Sequence, residues 1–297
     1  MRKTTWIRQH LAALRALLVL TVITGIAYPV AVFVVAQVPG LHDKAEGSLL
    51  ERDGGIVGSS LIGQAFTDGN GNALPQYFQS RPSSSGKGDG YDPTATSFTN
   101  LGPESIVDTL AADPDDAKQS LLTQVCARSK AIGEREGVDG ARPYCTPSGV
   151  GAVLAVFGPR DAQGTVPTPS RVVSVNEPCP TTPFLTTYRG VHVDCATPGD
   201  DYTPALTLPV RGNAPADPPV PPDAVVTSAS GLDPDISPSY ATLQIPRIAK
   251  SRNIPEEEVH TLVTTHTANR TLGFLGEPRV NVLELNLDLD RKYPVKG

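Results

Sequence analysis

The chain has 297 residues, a net charge of −6 and a sequence pI of about 5.4. Its 29 prolines and 27 glycines indicate a body rich in turns and loops. Beyond residue 38, basic residues are scattered and form no cluster, which argues against a nucleic-acid partner. At about 100 to 200 residues per domain, the length allows one or two domains.

The N-terminal segment predicts one transmembrane helix from Leu14 to Val38. Residues 16–38 contain no charged side chain, and a bilayer core requires about 20 apolar residues at helical rise. Because backbone amides in lipid must be paired within the segment, a helix is the expected conformation. Gly25 and Pro29 mark where it can kink.

The charges on the two sides of this helix differ, which predicts its direction. Basic residues precede it and mostly acidic residues follow it, so the positive-inside rule places residues 1–13 in the cytoplasm and residues 39–297 outside the membrane. A cleaved signal peptide is the alternative, because Val34-Val35-Ala36 resembles a cleavage site. Signal-peptide apolar regions usually run roughly 7 to 15 residues, fewer than here.

All four cysteines lie in the exported part. An oxidising compartment favours two disulfides, with three pairings open to four cysteines. The spacing does not fit a zinc site. The disulfide candidates are Cys126, Cys145, Cys179 and Cys195.

The exported part predicts an α+β domain in two parts, residues 39–132 and 223–297, interrupted by a Pro-rich, Cys-containing insert at 133–222. In the first part, Asp53-Gly54 between two apolar runs predicts a hairpin. Ile106–Leu110 and Ala117–Ser129 predict helices, the second capped by Asp115 or Asp116.

In the insert, valine-rich runs predict strands at 151–157 and 171–175, and residues 215–222 predict a stiff polyproline linker. Whether the insert is fully ordered is open from the sequence.

The second part predicts two helices and a strand. One helix starts after Ser237, with Pro238 at its first position and a bend or break at Pro246. Another starts near Pro255. The alternation of leucine with polar residues from Leu283 to Leu289 predicts a half-buried strand.

Motifs that would carry chemistry are incomplete. Residues 68–72 begin like a calcium loop but lack its later glycine and glutamate, which favours a surface turn. His260 and His266 are six residues apart and do not form a metal pair on a helix. Ser228 and Ser230 precede Gly231 without a nucleophile elbow. The sequence therefore predicts no catalytic residue and no metal ligand, with a serine hydrolase kept as an alternative.

Several turn-rich segments together carry a family resemblance. The segments are Gly47–Leu50, Gly58–Gln64, Tyr77–Ser83, Asn100–Pro103, Thr227–Pro234, Gln244–Ala249, Leu272–Pro278 and Val280–Asn286. In this order they resemble the C subunit of the bacterial Kdp potassium-transporting ATPase. Two departures stand out: Asp235 lies where the family usually has histidine, and residues 96–99 replace a Ser/Gly-rich stretch.

The resemblance implies a non-catalytic accessory subunit of a four-part pump. The implied partners are a potassium-binding channel-like subunit, a P-type ATPase subunit and a small single-helix subunit, together with membrane lipid. The family is described as a catalytic chaperone that raises the ATP affinity of the ATPase subunit. Because the predicted topology places the domain away from cytosolic ATP, assembly or stabilisation of the complex is favoured, and ATP is expected only with the ATPase subunit.

The motifs nominate candidate residues for an interface or a structural role: Gln64, Arg81, Pro82, Ser83, Asn100, Gly102, Pro103, Ser228, Gly231, Asp233 and Pro234. Gln244 is the one candidate for a nucleotide contact. The alternative functions are a membrane-tethered extracytoplasmic hydrolase and a secreted binding protein.

Overall fold

The computed structural model describes residues 2–86, 90–95, 104–111 and 113–295. The chain divides into two compact units, Met1–Leu61 and Ile62–Gly297. The fold mixes helices and strands, as the sequence predicts.

The first unit begins with a long apolar helix. It consists of α1 (Arg2–Val22), a π-helical turn (Ile23–Ala27) and α2 (Tyr28–Ala36). The continuous stretch Thr5–Ala36 is long and apolar enough to cross a membrane, and none of its residues is buried. The wide turn comes immediately before Pro29, whose missing N–H disturbs regular helical pairing.

A short hairpin completes the first unit. After α3 (His42–Ala45), strands β1 (Leu49–Arg52) and β2 (Gly55–Ser59) pair in antiparallel register. Asp53 and Gly54 both have positive φ, at 52° and 79°, as a two-residue hairpin turn requires. The predicted hairpin is therefore confirmed.

The described residues at the start of the second unit form irregular chain and a 3-10 turn (Pro114–Asp116), followed by α4 (Leu121–Glu136). The cap of α4 is Ser120, whose hydroxyl accepts from Thr123 N–H, so the predicted caps Asp115 and Asp116 are wrong. The predicted helix at 106–110 is also wrong. Asn176 pairs with the Asp108 N–H and the Ile106 carbonyl, which holds this segment in a non-helical conformation.

The Cys-containing region forms a five-stranded sheet. Its strands are β3 (Val153–Phe157), β4 (Arg171–Pro178), β5 (Thr187–Tyr188), β6 (Val191–Ala196) and β7 (Leu206–Pro209), in the order β5-β6-β4-β3-β7. Apolar clusters cover both faces, which explains the continuous valine-rich runs. The predicted strands β3 and β4 are confirmed, and the region is ordered.

Two disulfides fix this region. Cys126 on α4 bonds Cys145, and Cys179 after β4 bonds Cys195 in β6. The predicted polyproline linker at 215–222 does not behave as a solvated spacer, because Val220 and Pro221 are buried. A 3-10 turn (Pro222–Ala224) follows it.

The C-terminal part packs three helices around a small antiparallel sheet. In chain order it contains β8 (Asp235–Ile236), α5 (Pro238–Arg252), α6 (Glu256–Thr265), β9 (Thr267–Ala268), β10 (Arg279–Asn281) and α7 (Val282–Lys292). The sheet order is β8-β10-β9. Its core includes Tyr240, Ile248, Leu262, Leu285 and Leu289.

Helices α5 and α6 begin as predicted, at the Ser237 cap and after Pro255. Helix α5 continues through Pro246 without a break. The predicted strand at 283–289 is wrong, since this segment is helix α7, capped by Asn281. Three polar members of the alternation are themselves buried: Asn286, Asp288 and Asp290. The alternation therefore does not separate a solvent-exposed face from a buried face.

Candidate functional site

Two side-chain amides from different helices hold the backbone of Phe78 and Gln79. Asn286 on α7 accepts from the Phe78 N–H at 2.9 Å and donates to the Phe78 carbonyl at 2.9 Å. Gln244 on α5 makes the same pair of bonds with Gln79, at 2.7 and 3.1 Å. Both amides are buried. Each amide supplies the donor and acceptor that a neighbouring strand would supply, so the segment is satisfied without belonging to a sheet.

The Gln79 side chain extends this network into the preceding loop. Its amide nitrogen lies 3.0 Å from the Phe66 carbonyl, 3.2 Å from that of Leu74 and 3.3 Å from that of Tyr77. Since these carbonyls belong to different turns, one buried amide fixes the shape of the whole 66–77 loop.

A buried carboxylate ties α4 to α5 next to this loop. The Glu136 side chain has no exposed surface and accepts from Arg247 Nε at 2.9 Å and from Arg135 Nε at 2.6 Å. Arg247 in turn donates to the Gln244 amide oxygen at 2.7 Å. Burial is the main influence on the Arg247 guanidinium and lowers its pKa, partly offset by Glu136. The two guanidinium groups compensate the buried charge of Glu136.

Four of the predicted residues meet in one place, here named the motif cluster: Arg81, Ser83, Gly231 and Asp233. Arg81 Nη1 donates to Asp233 Oδ2 at 2.7 Å, and the side chains are 19% and 30% exposed. Ser83 Oγ donates to the Gly231 carbonyl at 2.6 Å. The cluster therefore joins the 80–83 and 228–234 segments, which lie about 150 residues apart in sequence.

Gly231 is required by the geometry of the motif cluster. Its φ is 71°, and a Cβ there would lie 2.8 Å from Ser85 Cβ. Asp233 adds a second constraint, because its Oδ1 accepts from the Asp235 N–H at 3.0 Å and fixes the following turn. The cluster thus combines an ion pair with a close backbone approach.

Tyr91 closes the motif cluster from a third segment. Its hydroxyl donates to the Arg81 carbonyl at 2.6 Å, and its N–H donates to Ser83 Oγ at 2.9 Å. Burial raises the pKa of Tyr91 to about 12, so the hydroxyl stays protonated and keeps donating. Gly63 lies against its ring, with no room for a side chain.

The remaining predicted residues lie beside the motif cluster or outside the described chain. The Gln64 carbonyl accepts from Ser80 Oγ at 2.7 Å, and Ser228 Oγ accepts from the Gly231 N–H at 3.0 Å. Pro82 and Pro234 are half-buried in the two joined segments. Asn100, Gly102 and Pro103 lie outside the described residues.

Asp235, the residue at the departure from the family pattern, forms an ion pair. Its Oδ2 lies 3.0 Å from Arg279 Nε on β10. Burial raises the pKa of Asp235 although Arg279 acts in the opposite direction.

Gln244, the nucleotide candidate, makes its hydrogen bonds within the chain. It is fully buried, and its amide bonds the Gln79 backbone and Arg247. A nucleotide would have to displace the Gln79 backbone to reach it.

The chemical candidates take structural positions. Ser230 Oγ accepts from the Leu232 N–H, and no hydrogen bond joins Ser228 or Ser230 to a histidine in the described part of the chain. His266 bonds Asp288 instead. Asp68 closes a surface turn through the Asn70 and Asn72 N–H groups. Among the described residues, no group of three or more His, Cys, Asp or Glu side chains could hold a metal ion.

A cavity of about 640 Å³ lies between α4 and the Cys-containing region. It is lined by the Cys126–Cys145 disulfide, Phe184, Leu185 and Val210, among others. No residue of the motif cluster lines it, so the family motifs do not form the wall of this cavity.

Sequence reasoning missed the buried amide network. Gln79 lay inside a motif without being singled out, and Asn286 was assigned to the wet face of a strand. The sequence does contain a signal for Asn286. Positions 282, 285, 286 and 289 have helical spacing, and Asn286 is the polar member of this otherwise apolar stripe, which indicates a buried amide.

Comparison with known proteins identifies the family. Residues 10–131 and 206–291, more than half of the chain, match the family described as "KdpC: K+-transporting ATPase, c chain". The chain belongs to this family. The first matched range includes residues 10–36 of the apolar helix, and the two ranges together include the motif cluster.

Relatives in this family match over nearly their whole length. The potassium-transporting ATPase KdpC subunit of Mycobacterium tuberculosis (strain ATCC 25618 / H37Rv) is 38% identical over 284 residues, covering 96% of this chain and 98% of the relative. The KdpC subunit of Bradyrhizobium diazoefficiens is 35% identical, with the same coverage. That of Kineococcus radiotolerans is 35% identical over 98% of this chain and 97% of the relative. The predicted resemblance is confirmed, and residues 132–205, outside the family match, have counterparts in these relatives.

Proposed function

We propose that this chain is a non-catalytic accessory subunit of an ATP-driven potassium uptake pump, and that it assembles or stabilises the complex. The observation that carries this proposal is the family match over both parts of the α+β domain, together with relatives of nearly equal length. Its partners would be a potassium-binding channel-like subunit, a P-type ATPase subunit and a small single-helix subunit.

The apolar helix would anchor the chain in the membrane, with the N-terminus in the cytoplasm and residues 39–297 outside. The charge difference between the two ends of Thr5–Ala36 supports this direction. Two disulfides in the second unit fit an oxidising compartment. Because the described chain holds no free cysteine, engineered thiols can report the topology.

The topology test compares two single-cysteine variants, Gln9→Cys and Lys44→Cys. A thiol reagent that cannot cross membranes should label position 44 in intact cells and position 9 only after the membrane is opened. Labelling of position 9 alone in intact cells would show that the orientation is opposite to the proposed one. Recovery of the protein in soluble form, without residues 1–36, would instead support a secreted binding protein.

The motif residues fit a scaffold better than a catalyst. The side chains of Arg81, Ser83 and Asp233 form hydrogen bonds with one another and with the backbone. The Arg81 Nε is the exception, because it is buried and has no hydrogen-bond partner in the described part of the chain. The remaining groups rigidify a surface on which partners can dock, but they leave no activated nucleophile. This supports an assembly role over the hydrolase alternative.

An effect on ATP affinity would act through the ATPase subunit. In the proposed topology the domain lies across the membrane from cytosolic ATP. A subunit that binds only one conformation of its partner shifts the population of that conformation, and nucleotide affinity shifts with it. A raised ATP affinity therefore requires no nucleotide site on this chain.

Co-purification tests the proposal. The full-length tagged chain, extracted in mild detergent, is expected to bring down the P-type ATPase subunit and the channel-like subunit in a constant ratio. Recovery of the chain alone, from membranes shown to contain both subunits, would contradict the proposed function.

A further inference from the structure

Three large apolar side chains are exposed together on the loop between β9 and β10. Leu272 is 79% exposed, Phe274 69% and Leu275 50%. In the described part of residues 62–297, the other exposed large apolar side chains are Leu121, Tyr144 and Val295, which are far from one another in sequence. Single exposed apolar residues are ordinary, whereas a contiguous group marks an interaction surface.

The loop is built to hold these side chains outward. The Thr271 N–H donates to the Leu275 carbonyl at 2.8 Å, and the Leu275 N–H donates back to the Thr271 carbonyl at 2.9 Å. An Arg270–Glu277 ion pair joins the two chain segments that flank the turn. The exposed group therefore sits on a hydrogen-bonded turn and not on loose chain.

Leu272 occupies a conformation that leucine rarely adopts. Its φ is 56°, in the left-handed region where glycine and asparagine are favoured. A leucine at this position is strained, and because its side chain is 79% exposed, burial within its own unit does not offset the strain. Strain of this kind is typical of binding loops.

We propose that residues 271–275 form a docking loop that inserts Leu272 and Phe274 into an apolar recess on another protein subunit of the pump. This inference rests on the proposed function. An aromatic ring beside an aliphatic side chain on a rigid turn is the usual form of an interface anchor.

The charges near the docking loop favour a protein recess over a lipid surface. Membrane-binding segments combine apolar residues with unpaired lysine or arginine, which anionic headgroups attract. Here Arg270 is neutralised by Glu277, whose side chain is 78% exposed and would be repelled by such a surface. A second copy of the chain is the remaining alternative, and the crosslinking experiment separates it from another subunit of the pump.

Photo-crosslinking identifies the occupant. A benzoylphenylalanine replaces Phe274 in the full-length chain within native membranes, and the same group at Leu121 serves as the matched exposed control. Illumination should join position 274, and not position 121, to the channel-like or ATPase subunit. Adducts only with lipid, only with a second copy, or equal at both positions would overturn the docking loop.

Substitution provides the second measurement. The double variant Leu272→Ser, Phe274→Ser should keep its thermal midpoint and both disulfides, because the removed side chains are exposed, yet recover at least ten-fold less partner subunit. Leu121→Ser should recover as much as the unsubstituted chain. Equal recovery by the double variant would refute the docking loop and leave the proposed function standing, whereas failure of the unsubstituted chain to bind partners would refute the proposed function itself.

Discussion

Gln244 bonds both the N–H and the carbonyl of Gln79 through one side-chain amide, across 165 residues of sequence. This pair joins α5 to the loop that precedes the motif cluster. Asn286 on α7 bonds the neighbouring Phe78 in the same way. The backbone of residues 78 and 79 is therefore held by side chains of two helices and not by a sheet. These bonds to Gln79 also explain why a polar side chain, Gln244, lies at a fully buried position, and the explanation requires no bound ligand.

Replacing Gln244 by methionine should destabilise the domain, because the side-chain volume is kept while the Gln79 N–H and carbonyl lose their partners. Unpaired buried polar groups cost about 1–3 kcal/mol each, so the two groups together predict a loss of roughly 2–6 kcal/mol. Urea unfolding of the full-length chain in mild detergent, followed by circular dichroism, gives the free energy of unfolding. The exposed Gln163→Met is the control. A loss below about 0.5 kcal/mol, the usual range for surface changes, would contradict the structural role.

The Asp233 carboxylate performs two tasks that substitutions can separate. Asp233→Asn keeps an oxygen for the Asp235 N–H but removes the charge that pairs with Arg81. Asp233→Ala removes both. We expect a loss of about 1 kcal/mol for the asparagine and about 2–3 kcal/mol for the alanine, measured by the same unfolding assay. Equal losses would mean that the turn bond contributes nothing.

Gly231 and Gly212 form a matched pair for testing close packing. Both have positive φ, at 71° and 64°, but an added Cβ would strike Ser85 at Gly231 and would meet nothing within 4 Å at Gly212. Gly212→Ala should therefore cost only the backbone strain, about 1 kcal/mol. Gly231→Ala should cost about 1–3 kcal/mol more, because Ser85 must move. Similar unfolding free energies for the two variants would count against the close approach.

The Asp288 carboxylate should make stability depend on acidity. Burial alone raises its pKa, but hydrogen bonds from His266, Lys292 and Arg291 outweigh burial and lower the pKa from 3.8 to about 2. A lowered folded-state pKa stabilises the fold above the unfolded value, and this contribution disappears as the pH falls from about 4 to 2.

The difference in unfolding free energy between the unsubstituted chain and Asp288→Asn is accordingly expected to be largest above pH 4 and to shrink below it. Denaturation series at several pH values measure this difference. A gap that stays constant from pH 6 to pH 2 would contradict the lowered pKa.

The elements with local signals were predictable. The Asp53-Gly54 hairpin, the Ser237-Pro238 helix start and the valine-rich strands each follow from turn chemistry, capping or burial within a few residues. The candidate residues Arg81, Ser83, Gly231 and Asp233 came from recognising ordered motifs, and the structure brings them together.

The failures arose where long-range contacts override local pattern. The 283–289 alternation indicates a strand only if Asn286 and Asp288 face solvent, but Phe78 and His266 give them hydrogen-bond partners from distant segments. The 106–110 segment is not helical because Asn176 binds its backbone. Neither partner can be inferred from a window of neighbouring residues.

The central claim, that this chain acts by assembling the pump, is tested most directly by restoring it to a pump that lacks it. Membranes expressing the ATPase and channel-like subunits without this chain are extracted with and without the purified full-length chain, and potassium-stimulated ATPase activity is measured over a range of ATP concentrations. The account predicts that addition restores both co-elution of the subunits and activity, while a photoreactive ATP analogue labels the ATPase subunit and not this chain. Full activity and co-elution without the chain, or ATP-protectable labelling of the chain itself, would contradict it.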